Sequence, residues 1–145
     1  MRLSARRLAV AALFALASLQ LVAAQTGPAK KAIDVYREYL AAAKTAKTIA
    51  PILPFLTKEY AANLQGAPKA QQDRMLTGFQ EHATRTAIVV TKETIKGDTC
   101  ELQATAKDAD GSELLGKVAF VNEAGAWKIE GQGWVPDYEK QFKKK

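Results

Sequence analysis

The sequence predicts an α+β domain in which helices come first and a four-stranded antiparallel sheet follows. Three observations predict it. Apolar residues recur at helical spacing up to His82 and at a period of two after it. The strand-like segments after His82 are joined by short turn-forming clusters, whereas parallel strands would need crossovers of about a dozen residues or more. A single cysteine, Cys100, allows no intramolecular disulfide, so the domain has to be held by packing.

The first helix is expected over residues 28–48, where Ala32, Ile33, Tyr36, Tyr39, Leu40 and Ala43 form an apolar stripe opposite Lys30, Asp34, Arg37 and Lys44. Thr26, Gly27 and Pro28 supply its start. The segment "APILPFLTKEYAANLQGAP" predicts a shorter second helix beginning near Pro54, running through Tyr60 and Leu64, and stopped by Gly66 and Pro68. A third helix is expected over residues 68–84, with Met75, Leu76, Phe79 and Ala83 on one side. Ile88, Val89 and Val90 anchor the first strand, which ends near Lys96, Gly97 and Asp98. Cys100, Leu102, Ala104 and Ala106 alternate with polar residues, which predicts a half-buried second strand and a buried thiol. Asp108, Ala109, Asp110 and Gly111 form a turn, the third strand runs from Leu114 to Val121, and Asn122 to Gly125 turn into the fourth. In "GAWKIEGQGW", Trp127 and Ile129 share a face, while Trp134 falls on the opposite parity. Gly131 and Gly133 mark a bulge that would turn Trp134 inward.

The chain opens with Arg2, Arg6 and Arg7, then an apolar run, then Val22, Ala23 and Ala24. That order is a secretory signal peptide over residues 1–24, cleaved before Gln25, with a retained anchor as the alternative. The run is short for a membrane span, which takes about 20 residues. The expected destination is the periplasm or the outside of a bacterial cell. Residues 25–138 then form one domain, and residues 139–145 a basic tail. The formal charge of +6 comes from the three leader arginines and this tail, leaving a near-neutral body. Without a basic patch on the folded domain, nucleic acid is not an expected partner. Lys143, Lys144 and Lys145 could make weak contact with an anionic surface. A homodimer is compatible with the sheet, although the outward residues Glu101, Gln103, Thr105, Lys117, Lys128 and Glu130 are polar.

Helices followed by a sheet ending in a "GAWKI" strand resemble the nuclear transport factor 2-like superfamily, which includes ketosteroid isomerases. The resemblance rests on residues 32–60, "AIDVYREYLAAAKTAKTIAPILPFLTKEY", and residues 111–134, "GSELLGKVAFVNEAGAWKIEGQGW". It implies a curved, cone-like sheet and a pocket between that sheet and the helices. In isomerase-like relatives an aspartate base and a tyrosine-containing oxyanion site work in that pocket.

His82 is the sole histidine, and with one cysteine it leaves no ordinary zinc or copper site. Its plain reading is a boundary residue bonding the last carbonyls of its helix; a neutral imidazole there could also serve as a base. No serine lies in a nucleophile motif, and no phosphate loop is present. Asp108, Asp110 and Gly111 fit half of a calcium loop, but the first and last carboxylate positions of that loop fall on Ala106 and Lys117. No metal or cofactor is therefore expected. Tyr36, Tyr39, Tyr60, Phe79, His82 and Trp127 are the candidate pocket residues. The expected function is non-catalytic binding of a small apolar ligand or a protein partner, in the cone or on the sheet. The alternative is an isomerase- or hydratase-like enzyme with His82 or Asp34 as base.

Overall fold

The computed structural model of the protein describes residues 30–139, so the expected leader and the tail lysines lie outside the described residues. Helix α1, Ala32–Thr45, buries Ala32, Val35, Tyr36, Tyr39 and Ala43 along one stripe. Its other face carries ion pairs of Lys30 with Glu38 (2.7 Å) and Arg37 with Asp34 (3.3 Å). The helix stops short of Thr48 because Ala46 turns extended.

The second helix starts later than the prolines suggest. Pro54 lies in a short 3-10 turn, Leu53–Phe55, and helix α2 spans Lys58–Gly66. Thr57 sets that start, its hydroxyl accepting the Tyr60 N–H at 3.3 Å. Helix α3, Lys69–Thr84, follows Pro68 and packs against α1.

The sheet contains β1, Thr86–Lys96; β2, Thr99–Lys107; β3, Glu113–Glu123; and β4, Ala126–Pro136. It is an antiparallel meander in the order β1-β2-β3-β4. Its inner face presents Cys100, Leu102, Val118, Phe120, Trp127 and Ile129, which join the buried residues of α1 in one core. The α+β architecture is therefore the one expected, with helices covering one face of a bent sheet.

Three breaks in register shape that sheet, two on β1 and one on β4. On β4, Gly131 pairs with Ala119 and Ile129 pairs with Phe120, so Glu130 is an extra residue. A bulge bends its strand and shifts the parity beyond it. Gln132 and Trp134 consequently face the helices together with Trp127 and Ile129. Trp134 pairs with Gly116, where an added Cβ would lie 2.6 Å from the indole. Only glycine leaves room for the ring there. On β1 the register slips between Thr86 and Val89 and again between Val90 and Lys92, and Ala87 takes φ 50, which is uncommon for a residue with a side chain.

The edge formed by β4 is covered over its first half. Leu56 bridges to Ile129, the Thr57 N–H donates to the Ile129 carbonyl at 3.0 Å, and Lys128 Nζ donates to the Pro54 carbonyl at 2.5 Å. The Glu123 carboxylate accepts the Lys58 N–H at 3.0 and 3.2 Å, which places negative charge at the N-terminus of α2. The Asp108 and Asp110 carboxylates accept the Ser112 N–H at 2.8 and 3.0 Å, completing the β2–β3 turn.

The outer face departs from its expected polarity. Val89, Thr105, Leu115 and Val135 lie in one register row across all four strands. Val89, Leu115 and Val135 are exposed there. The slip on β1 between Val90 and Lys92 and the bulge on β4 shift Val89 and Val135 onto this face, so simple alternation concealed the row.

Candidate functional site

A cavity of about 300 Å³ lies between α3, α2 and the bulged part of β4. Leu56, Tyr60, Met75, Phe79 and Ile129 form its apolar wall, and Arg74 and Glu130 stand at its polar margin. His82 and Gln132 also line it. The Glu130 bulge creates this arrangement, because the parity change brings Gln132 from β4 toward His82 on α3.

A seam of polar groups runs on from those two residues into the core. Gln132 donates through Nε2 to the Tyr39 hydroxyl at 2.5 Å. Tyr39 stacks on Tyr36, with ring centroids 5.8 Å apart, and meets Phe79 edge-on at 6.3 Å. The Arg85 guanidinium lies over the Trp134 ring, 5.0 Å from its centroid. Trp134 and Tyr36 are near enough for the indole to influence the phenol.

Five side-chain atoms in this seam are buried without a hydrogen-bond partner among the described residues: Tyr36 Oη, His82 Nδ1, Arg85 Nη1, Gln132 Oε1 and Trp134 Nε1. Each such group costs about 1–3 kcal/mol relative to a satisfied one. Buried polar atoms are nearly always paired with protein groups or ordered water, and here Tyr36 with Trp134 and His82 with Gln132 lie close enough to interact with each other.

The electrostatics follow from burial. Desolvation pushes the Tyr36 phenol up to about 12, against the opposing effects of Arg85 and the Trp134 indole. Burial also raises Tyr39 and Tyr60 above the ordinary phenol value. Burial and then the Arg85 charge hold His82 below its usual 6.5, so the imidazole is neutral near neutral pH. Burial lowers Arg85 too, while Tyr36, Glu81 and Asp108 favour its charge.

The structure disperses the expected pocket residues. Tyr60, Phe79 and His82 line the cavity. Tyr36 and Tyr39 are fully buried behind it, and Trp127 is core, paired with Asn122 at the hairpin end of β4. His82 faces Gln132 and Arg85 rather than capping its own helix. Asp34 does not reach the cavity, because its carboxylate is on the solvent side of α1 with Arg37. Gln132 was legible from the bulge that turned Trp134, since both move together. Arg85 carried no such signal at the junction of α3 and β1. Among the described residues, no cluster of three or more His, Cys, Asp and Glu side chains could hold a metal ion.

No family model and no curated protein matches the chain. The chain is similar to the solved structure of an NTF2-like protein of unknown function from Shewanella baltica OS155, with 10% identity, 72% of this chain and 89% of that chain covered, and a TM-score of 0.47. It is also similar to an NTF2-like protein of unknown function from Cytophaga hutchinsonii ATCC 33406, with 16% identity, 81% and 98% covered, and a TM-score of 0.45.

Proposed function

We propose that this protein binds a small, largely apolar molecule in the cavity between α3 and β4, without catalysing its conversion. The observation that carries this reading is the cavity itself: about 300 Å³, walled by Leu56, Tyr60, Met75, Phe79 and Ile129, with His82 and Gln132 as its polar groups. Small-molecule sites have this composition, an apolar lining with a few placed polar groups. The leader-like order of residues 1–24 supports a role outside the cytoplasm, in the periplasm or beyond. Lys143, Lys144 and Lys145 would add a weak, salt-sensitive contact with an anionic surface, and the row of Val89, Leu115 and Val135 offers a place for a protein partner or a second copy.

Native mass spectrometry on protein purified gently from that compartment tests the reading. A retained small-molecule mass is the expected result, and a bare chain after mild handling would contradict it. One observation favours the catalytic alternative: a neutral imidazole, that of His82, lines the cavity. In that case His82→Gln would abolish turnover of the retained molecule while leaving it bound, and unchanged turnover would remove His82 as the base.

A further inference from the structure

One end of the sheet's outer face carries a patch that the core does not use. Val89, Leu115 and Val135 are exposed there, in one register row with Thr105. Lys92, Gln103 and Lys117 form the next row toward the middle of the sheet, and on the other side Lys107 stands opposite Glu113. A hollow of about 390 Å³ opens between Leu115, Val135 and Lys117, over Gly133, which has open space where a Cβ would be. The chain leaves the sheet at Pro136, one residue past this row, and Tyr138 is exposed just beyond it. The residues that follow carry Lys140, Lys143, Lys144 and Lys145 against Glu139, with Phe142 among them. Apolar and basic groups therefore lie side by side on this face, and the sequence of the tail continues the mixture.

We propose that this face docks on an anionic bilayer, an inference that rests on the anionic-surface contact of the tail and extends it to the folded domain. Val89, Leu115 and Val135 enter the headgroup boundary, while Lys92, Lys117 and the tail lysines meet lipid phosphates. Exposed apolar groups rimmed by charge mark protein or membrane contacts, and here the charge favours the membrane. A second copy docked face to face would bring lysine toward lysine, and like charges set against each other disfavour a partner. A bilayer holding anionic lipid supplies both complements in one surface, negative headgroups for the lysines and apolar chains for the row. Lysine suits that position, since its stem packs on apolar surface while its ammonium stays with the headgroups. The hollow beside Lys117 gives an acyl chain room next to its headgroup, and Tyr138 has the amphipathic ring that gathers at such interfaces. Lys117 meets Glu101 at 3.7 Å, a long and exposed pair that a lipid phosphate can replace.

Co-sedimentation tests this, using protein recovered from the periplasm or medium and two kinds of vesicle: phosphatidylcholine alone, and phosphatidylcholine with phosphatidylglycerol in equal parts. The wild type is expected to sediment with the mixed vesicles only. Binding should weaken as salt rises from about 0.1 to about 1 M, which cuts the screening length from about 10 to about 3 Å. Lys92→Gln with Lys117→Gln should weaken it about tenfold or more, each lysine near anionic lipid being worth about fivefold. Leu115→Ser with Val135→Ser should weaken it on a similar scale. All four side chains are exposed, so both variants should melt with the wild type, and the glutamine variant keeps the test decisive if the serine variant folds poorly. Loss of binding on deleting residues 140–145, with both face variants unchanged, would overturn the inference and leave the tail contact intact. No binding to either vesicle would overturn both. Equal binding to the two vesicles would remove the lysines from the contact, and a serine variant that turns a dimer into a monomer without altering sedimentation would make the row an interface between copies; either result overturns the inference.

Discussion

Gly116 faces the Trp134 indole across the β3–β4 pair, and a methyl group there would meet the ring at 2.6 Å. Gly116→Ala is therefore expected to displace the ring and destabilise the fold by about 1–3 kcal/mol, the usual scale of overpacking. Chemical unfolding measures the loss, and a red-shifted tryptophan emission reports the displaced ring. His82 makes a second prediction at this scale. Its native pKa lies below the 6.5 of the free group, so the unfolded chain takes up the proton first. The stability linked to its neutral form is complete above that value and is lost as pH falls through it toward the native pKa. Melting temperatures across this window should fall more in the wild type than in His82→Gln, and parallel curves would contradict the buried neutral imidazole. Trp134 was readable because two glycines sit where alternation breaks. Arg85 was not, because a single arginine between a helix and a strand looks like surface until tertiary structure places Tyr36 and Trp134 beside it.

The elements themselves were legible wherever periodicity was long. Helix α1 and the β2 strand follow from their apolar spacing; on α1 the stripe of Ala32, Tyr36, Tyr39 and Ala43 is buried as expected, with Val35 added and Ile33 and Leu40 only half-buried. The start of α2 was misplaced because Pro54 is a strong helix-start signal and Thr57 a local one, while a contact from a distant hairpin favours the second. Glu123, on β3, accepts the Lys58 N–H and holds negative charge at the start of α2. Glu123→Ala should cost about 1 kcal/mol, the scale of a lost N-terminal cap. Denaturant unfolding would show it, and hydrogen exchange should quicken first in α2. Unchanged protection there would mean that Thr57 alone sets the helix start. The bulge at Glu130 belongs to this scale as well. It was expected near Gly131, but alternation along one strand could not show that the same extra residue opens the cavity toward α3.

For the molecule as a whole, the order of helices and strands and the single inner core follow from the change of period at His82. The apolar row on the outer face did not, since it is assembled from single residues on β1, β3 and β4 by breaks in register on β1 and β4. The cavity is likewise a property of the assembled molecule, and its use as a binding site is the central claim. Gly78 on α3 lines it and has open space where a Cβ would be. Gly78→Leu should fill the cavity without a clash and raise helix stability by about 0.5 kcal/mol or more. The most direct test is native mass spectrometry of wild type and Gly78→Leu, purified side by side. The account predicts a small-molecule mass retained by the wild type and absent from a variant that melts at an equal or higher temperature. Retention of the same mass by both proteins would place the ligand elsewhere and contradict the claim.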